Sequence, residues 1–272
     1  MIISHKHRFV FFHNPKAGGT SVRATIERFN DVGFGMWGVD PERSGPPVDR
    51  AHLGIDEFAA HYSDLWQKVR GYAGFCLVRD PEARFLSSIS EHAKLHGDTD
   101  VRFASPEART DVLRRALDRL RAFENAEALM DIYEFTHFRP QWIYWRASDP
   151  AMKVTPHPVT NMGIFFSEIA KRTGEPIEAQ KRNTRESLNL PGPMAALAAH
   201  GGLRRALGNF PGMELAKRLV RKQYTAEGDA RRESFPMSPD LAAEVADFVR
   251  MFYAQDFKVW PVALTPKGAV AS

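Results

Sequence analysis

A strand, a turn of small residues and a helix follow one another near the start of the chain, and this unit constrains the fold most. The apolar run FVFF predicts a buried strand within residues 8–13. The turn PKAGGTS at residues 15–21 follows it, and residues 19–29 have helical character. Backbone N–H groups at a helix N-terminus are unpaired, and the helix dipole favours negative charge there. The sequence therefore predicts a cradle for an anion.

The side chains of this turn suit the same purpose. Gly18 and Gly19 let the backbone approach an anion without a Cβ in the way, Lys16 supplies a positive charge, and Thr20 and Ser21 supply hydroxyl donors. The order differs from the nucleotide triphosphate loop G-x-x-x-x-G-K-[ST], in which the lysine follows the glycines and a hydroxyl after it holds magnesium. An ordinary strand-turn-helix connection stays open as the alternative for this motif alone.

A second apolar run leads into another motif of the same kind. Residues 73–78 predict a strand and residues 81–95 a helix, with Asp80 as a good N-cap between them. Arg79 is thereby expected at the carboxyl end of the strand, where its planar guanidinium can bind a phosphate. Ser87, on the helix, offers a hydroxyl to the same group.

Together the two motifs resemble those of the sulfotransferases that use 3'-phosphoadenosine 5'-phosphosulfate (PAPS). PKAGGTS is similar to that family's 5'-phosphosulfate loop, with Ala17 in place of the usual threonine, and RDPEARFLS is similar to its 3'-phosphate motif R-x-P-x-x-R-x-x-S. The resemblance covers residues 9–92. The partner of Arg84 stays open, since this arginine can bind a phosphate or pair with a nearby carboxylate. The resemblance implies that PAPS is the co-substrate, without a metal, held by Lys16, Ala17, Gly18, Gly19, Thr20, Ser21, Val22, Arg79 and Ser87.

The resemblance also implies in-line transfer of a sulfuryl group to a hydroxyl. Charge builds on the bridging oxygen of the leaving group, and Lys16 is the expected cation there. The acceptor hydroxyl needs a base near neutral pH. His52, in the segment AHLGIDEF, resembles a histidine that supplies the base in several carbohydrate sulfotransferases. Glu57, Asp56 and His13 are the rival candidates.

Strands that alternate with helices predict the α/β class, as a single P-loop-like domain with a central parallel sheet flanked by helices. Both motifs end strands, and ligands of such sheets lie beyond the carboxyl ends of the strands. The domain is expected at 1–262, with helical insertions at about 100–150 and 190–235 and a loose tail at 263–272. Further helices are predicted at 54–67, 106–130, 140–147, 165–173 and 240–254, and a short strand at 152–154.

Composition limits the class of protein further. The 272 residues are 43% hydrophobic, which allows a sizeable core, and they carry a formal charge of +4 with a pI of about 9.2. This mild excess suits a polyanionic cofactor and an acidic acceptor without demanding nucleic acid. The sequence has no apolar run of transmembrane length, no signal-peptide pattern at MIISHKHRFV and a single cysteine, Cys76. We therefore expect a cytoplasmic protein, like the bacterial members of the family that lack a membrane anchor.

Three other regions have two interpretations each. Residues 203–232 carry eight Lys or Arg and three acidic residues, which suits a lid or acceptor surface, or a solvated helical face. KRNTRES at residues 181–187 is similar to the basic segment that closes over the cofactor late in the family's sequences, or is a solvated linker. The aromatic residues between Tyr133 and Trp145 fit core packing better than stacking on a sugar.

The predicted function is therefore PAPS-dependent sulfotransfer to a hydroxyl of a glycan, a glycolipid or another small alcohol. Two alternatives from other classes remain. One is a protein that binds the nucleotide without transfer activity, and the other is a small-molecule kinase with a variant phosphate loop. The intact Lys16, Arg79 and Ser87 argue against the first, and the order of lysine and glycines argues against the second.

Overall fold

The computed structural model of the chain describes residues 1–32, 38–39, 47–97, 99–178, 187–188, 199, 225–226 and 235–264. The chain divides into two compact units. The first consists of Met1–Arg84, Glu124–Arg182 and Phe248–Ser272, and the second of Phe85–Phe123 and Asn183–Asp247. The predicted insertion at 190–235 and the predicted tail fall mostly outside the described residues.

The first unit contains a four-stranded sheet. Its strands are, in spatial order, β1 (Ile2–Ser4), β2 (Phe9–Phe12), β3 (Ala73–Val78) and β4 (Lys153–Pro158). β2, β3 and β4 run parallel, whereas β1 runs antiparallel to β2. The α/β class is confirmed, but the sheet is mixed rather than wholly parallel. The prediction missed β1 because a three-residue strand is too short to show alternation, and its pairing depends on the hairpin that follows it.

The described helices are, in chain order, α1 (Gly19–Ile26), α2 (Ile55–His61), α3 (Ser63–Val69), α4 (Pro81–Leu95), α5 (Pro106–Leu120), α6 (Met162–Thr173), α7 (Pro239–Phe252) and α8 (Ala254–Leu264). Two-residue strands β5 (Ser187–Leu188) and β6 (Thr225–Ala226) pair antiparallel. Short 3-10 helices occupy 27–29, 50–52, 126–129, 133–138, 141–144 and 159–161. In the described part of the chain, no helix combines the length and apolarity that crossing a membrane requires.

Several boundaries differ from the prediction for local reasons. The helix expected at 54–67 is two helices, because the backbone leaves the helical region at Tyr62 (φ −130°, ψ 54°). The short strand expected at 152–154 extends to Pro158, since it pairs along all of β3. The chain expected to loosen after Pro261 is helical to Leu264. β3 and α4 have the predicted bounds.

Both faces of the sheet are buried. Val10 and Phe12 of β2 pack in a core cluster with side chains of α2 and α3, such as Phe58. The alternate residues Phe9 and Phe11 pack on the opposite face with side chains of α1 and α6. Successive side chains of a strand point to opposite faces, so burial of both faces requires a continuous apolar run. This explains why β2 reads FVFF rather than as an alternating pattern.

The carboxyl ends of β2 and β3 meet at one edge of the sheet. Phe12 pairs with Cys76 in register, and Val78 at the end of β3 pairs with Pro158. α1 and α4 begin just beyond this edge. The two predicted phosphate motifs therefore share the edge at which ligands of parallel sheets bind.

Candidate functional site

The turn between β2 and α1 has a curled backbone. Lys16 has a φ of 63° and Gly18 a φ of 81°, both in the left-handed region. Such a conformation is unfavourable for a lysine and persists where the surrounding structure imposes it, which is typical of functional sites. Left-handed residues within a turn direct backbone N–H groups towards one side and form a concave site for anions.

The start of α1 decides which backbone amides remain for an anion. The amides of Ser21 and Val22 both donate to the carbonyl oxygen of Gly18, at 3.0 and 3.3 Å. The amides of Gly19 and Thr20 precede these bonds and have no place in the helical ladder. The backbone amides of Ser21 and Val22, two of the residues predicted to bind the cofactor, are therefore engaged within the helix.

The surroundings of Gly18 and Gly19 explain why neither position accommodates a Cβ atom. A Cβ on Gly19 would lie 1.8 Å from Nε2 of His13, whose imidazole packs directly on this residue. A Cβ on Gly18 would lie 3.1 Å from Cγ2 of Val159, in addition to the strain of a positive φ. Glycine is therefore required at 19 by packing and at 18 by backbone conformation.

The other residues of the turn have different environments. Ala17 is fully buried in the same core cluster as Val22, so a threonine here would bring a hydroxyl into apolar surroundings. Thr20 is exposed and Ser21 is half-buried. An alanine at this position therefore suits the apolar core of the chain.

Arg79 connects the two motifs. Its Nη1 donates to the carbonyl oxygen of Lys16 at 3.2 Å. The side chain of Gln141 fixes the Arg79 backbone, accepting from its amide at 3.2 Å and donating to its carbonyl at 2.9 Å. Asn14 donates to Gln141 Oε1 at 3.1 Å and to the Leu77 carbonyl at 3.0 Å. Sequence reasoning missed Gln141, which comes from a distant part of the chain and carries no motif.

Two residues of the second motif, Asp80 and Arg84, have structural roles. Asp80 caps α4 as predicted, because its Oδ1 accepts from the Ala83 amide at 2.9 Å. Arg84 is buried, donates to the Arg139 carbonyl at 2.8 Å and lies 3.7 Å from Oδ2 of Asp256. Of the two interpretations of Arg84, the carboxylate partner is therefore correct. Ser87 is half-buried on the part of α4 that belongs to the second unit.

His52 lies on the short 3-10 helix 50–52 and is almost fully buried. Its Nδ1 is 3.1 Å from the carbonyl oxygen of His13, and its own carbonyl accepts from the Tyr144 hydroxyl at 3.1 Å. A carbonyl oxygen only accepts, so Nδ1 of His52 carries the proton. In the neutral imidazole the lone pair is then on Nε2, which makes Nε2 the basic atom.

Three imidazoles lie close together at this site, with His52 next to each of the other two. The ring centroids of His13 and His52 are 4.4 Å apart, and those of His52 and His137 are 5.3 Å apart. Burial lowers the pKa of His13 well below its usual value. Burial, together with the positive charges of Lys16 and Arg139, lowers the pKa of His52 to about 4. His52 is therefore neutral at pH 7, as a general base must be.

The two rival carboxylates have structural partners. Glu57 accepts from the Gly54 amide at 3.1 Å at the start of α2, and its carboxylate pairs with the buried Arg139 at 3.1 Å. Asp56 accepts from the amide and the hydroxyl of Ser148 at 2.9 and 2.6 Å. These contacts favour His52 as the base, and that assignment stays a prediction. Sequence reasoning gave no role to His137, since no motif marks it.

The other predicted features are partly described. Phe138 and Tyr144 are buried, and Trp142 and Trp145 pack on the core, so the core-packing interpretation of these aromatic residues is confirmed. No group of His, Cys, Asp and Glu side chains within the described ranges could hold a metal ion. The segment KRNTRES and the basic stretch 203–232 lie outside the described residues, apart from 187 and 225–226.

Comparison of the chain with protein-family models, with curated proteins and with solved structures found no significant match.

The lowered pKa of His52 leads us to expect that the stability of the fold decreases in acid. The pKa of His52 is about 4 in the folded protein and about 6.5 in an unfolded chain, so the unfolded state binds more protons between these values. The contribution of His52 to the free energy of unfolding should be fully present above about pH 6.5 and should decrease as the pH falls towards 4. At pH 5 the free energy of unfolding should be lower by about 2 kcal/mol because of this group. Urea unfolding at pH 7 and pH 5 measures it. His52→Gln should lose about 2 kcal/mol less than the parent, and the exposed His61→Gln should behave like the parent. An unchanged loss in His52→Gln would contradict the assignment.

Proposed function

We propose that this protein is a PAPS-dependent sulfotransferase that moves a sulfuryl group to a hydroxyl of a glycan, a glycolipid or another small alcohol. The contact between Arg79 and the Lys16 carbonyl carries the proposal. It joins two phosphate-type motifs that are 63 residues apart in the chain, at the edge where parallel strands end. A nucleotide with phosphates at both the 3' and 5' positions needs two such anion sites side by side.

The residues of the first unit supply the parts that in-line transfer requires. The amides of Gly19 and Thr20 hold oxygens of the 5'-phosphosulfate at the dipole of α1. Lys16 meets the negative charge that builds on the bridging oxygen. The bond from the acceptor oxygen to sulfur forms while the bond from sulfur to the bridging oxygen breaks. The acceptor's proton passes to Nε2 of His52, and adenosine 3',5'-bisphosphate leaves. Arg79 contacts the 3'-phosphate.

The proposal needs no metal, because positioning and fixed positive charge stabilise the transition state. We place the reaction in the cytoplasm. The binding partner of the protein is then a glycan or small-molecule acceptor rather than a nucleic acid.

Nucleotide preference tests the cofactor directly. The protein should bind adenosine 3',5'-bisphosphate at least about tenfold more tightly than AMP, because a charged hydrogen bond contributes about 1.5–3 kcal/mol. Calorimetry on the parent and on Arg79→Ala measures the preference, which the variant should lose. Arg70→Ala is the matched control. Arg70 directly follows α3 and pairs with Asp149, so its loss removes an arginine that has no predicted contact with the nucleotide. Equal affinity of the parent for both nucleotides would overturn the 3'-phosphate assignment.

Transfer itself separates the proposal from the two alternatives. Incubation with PAPS and a panel of glycans and simple alcohols should give products heavier by one sulfuryl group, detected by mass spectrometry. A protein that binds the nucleotide but gives no product with any acceptor and releases no adenosine 3',5'-bisphosphate fits the non-catalytic alternative. Turnover of ATP that depends on magnesium would support the kinase.

The base is tested by exchanging its candidates. His52→Ala should lower transfer by at least about 10²-fold while nucleotide affinity changes little, because general bases contribute about 10²–10⁴. Glu57→Gln should stay active if folded, because its carboxylate serves Gly54 and Arg139. In the parent, activity should fall on the acid side between about pH 4 and 6.5, since a bound polyanion opposes the lowering of the His52 pKa.

The opposite pattern would reassign the base. An active His52→Ala beside a folded but inactive Glu57→Gln would move it to Glu57. Activity in both variants would make His13 the next candidate.

A further inference from the structure

A cavity lies at the edge of the sheet opposite to Lys16 and Arg79, at the amino ends of β2 and β3. Its volume is about 550 Å³. The turn between β1 and β2 forms one wall and the last turn of α6 forms another. The charged and titratable residues that line it are Lys6, His7, Arg8, Glu168, Lys171 and Arg172.

Positive charge predominates among the described residues that line this cavity. Lys6, Arg8, Lys171 and Arg172 are exposed, and none of the four forms an ion pair with a residue in the described part of the chain. Among the described residues that line the cavity, Glu168 is the one carboxylate, and it lies 3.6 Å from Nε2 of the buried His157. Compensation of a helix dipole explains cations in the last turn of α6, but it does not explain the two that come from the hairpin.

The backbone of the hairpin turn and the Arg8 guanidinium are held in place before any ligand arrives. Oδ2 of Asp31 accepts from the Lys6 amide at 2.9 Å, and Oδ1 accepts from the His5 amide at 2.7 Å. The Arg8 guanidinium lies 4.7 Å from the centre of the Tyr72 ring, and the Arg8 backbone is left-handed with a φ of 52°. A preorganised turn loses less entropy when it binds a ligand.

The cavity also reaches one apolar residue of the sheet core, which is 3% exposed. Phe75 of β3 lines it, and its ring stacks on His157 at a centroid distance of 6.0 Å. Ligand pockets typically measure about 300–1,000 Å³ and combine an apolar wall with a few convergent polar groups. The cavity has the size to hold a sugar ring, and its cations suit oxyanions on that ring.

We propose that this cavity is a second anion site, which binds a compact ligand with two or more sulfate or phosphate esters on a frame of one or two sugar rings. The site does not rest on the proposed function, because it shares no residue with the edge that holds Lys16 and Arg79. Its ligand comes from one of two sources, a free sugar phosphate or the sulfated end of a longer saccharide.

Calorimetry on the full chain tests the proposal, with pyrophosphate, a sugar bisphosphate and a disulfated disaccharide as probes. Arg79→Ala serves as the background that weakens binding at the phosphate loop. In this background, Lys6→Ala/Arg8→Ala and Lys171→Ala/Arg172→Ala should each weaken probe binding by at least about tenfold. The exposed pair Arg114→Ala/Arg115→Ala on α5 removes the same charge and should leave affinity unchanged.

The outcomes are distinct. Tighter binding of the sugar bisphosphate than of the disulfated disaccharide assigns the free sugar phosphate as the source, and the reverse order assigns the saccharide. Parental affinity in both double variants overturns the site. Equal weakening in the control pair overturns it too, since the probes would then respond only to net charge. Failure of nucleotide binding in the parent would leave these results intact and would count against the proposed function alone.

Discussion

Replacing Lys16 with alanine is expected to lower the turnover for sulfuryl transfer by about 10²–10³-fold, while affinity for adenosine 3',5'-bisphosphate falls by less than about tenfold. The difference follows from when the charge appears. The bridging oxygen becomes fully negative only as its bond to sulfur breaks, so the ammonium group stabilises the transition state more than the bound nucleotide. Steady-state kinetics and calorimetry on the same preparation measure the two effects.

The left-handed backbone at Lys16 guides the choice of controls. Alanine meets the same strain at a φ of 63° as lysine does, so Lys16→Ala removes the charge without adding backbone cost. Lys16→Arg keeps the charge and should retain more activity than Lys16→Ala. Lys68→Ala, on an exposed face of α3, should match the parent. Parental turnover in Lys16→Ala would remove Lys16 from the chemistry.

Replacing Arg84 with methionine is expected to destabilise the fold by about 3–5 kcal/mol, the usual cost of breaking a buried ion pair. The side chains of Arg84 and Asp256 are 1% and 0% exposed. The variant also leaves the carbonyls of His137 and Arg139 without this donor. Urea unfolding near neutral pH measures the loss. Nucleotide affinity of the folded fraction should change little, because Arg84 faces the protein interior.

Two comparisons sharpen this test. Arg121→Met removes an exposed arginine that pairs with Asp118 and Glu244, and it should cost less than about 1 kcal/mol. Burial raises the pKa of Asp256 to about 6, against the opposing charge of Arg84, so loss of the arginine raises it further. Asp256→Asn in the Arg84→Met background should therefore recover part of the lost stability. A stable Arg84→Met with weak nucleotide binding would instead return Arg84 to the cofactor site.

Arg79 and Arg84 show what a motif does and does not specify. Both occupy the arginine positions of R-x-P-x-x-R, five residues apart in one short segment. Arg79 follows a strand and lies half-buried beside the turn at Lys16, whereas Arg84 lies one turn into α4 on its buried face. The two residues are of the same type and belong to the same motif. Only their surroundings in the fold distinguish a candidate ligand contact from a structural ion pair.

The sequence by itself determined the local units of this protein. The apolar runs of β2 and β3, the cap at Asp80 and the extent of α4 were all predictable, because each depends on residues within a few positions of one another. The turn between β2 and α1 was predictable for the same reason, since its small residues and the helix after it are contiguous.

Tertiary structure decided how these units meet. Three features join residues that are distant in the chain: the Arg79 contact with the Lys16 carbonyl, the cluster of imidazoles around His52 and the ion pair of Arg84. The antiparallel β1 likewise depends on hydrogen bonds to β2 and on the Asn30 side chain, which accepts from the Ile3 amide. Spacing in a sequence carries information about near neighbours, whereas burial and long-range packing set which distant groups come together and what their pKa values become.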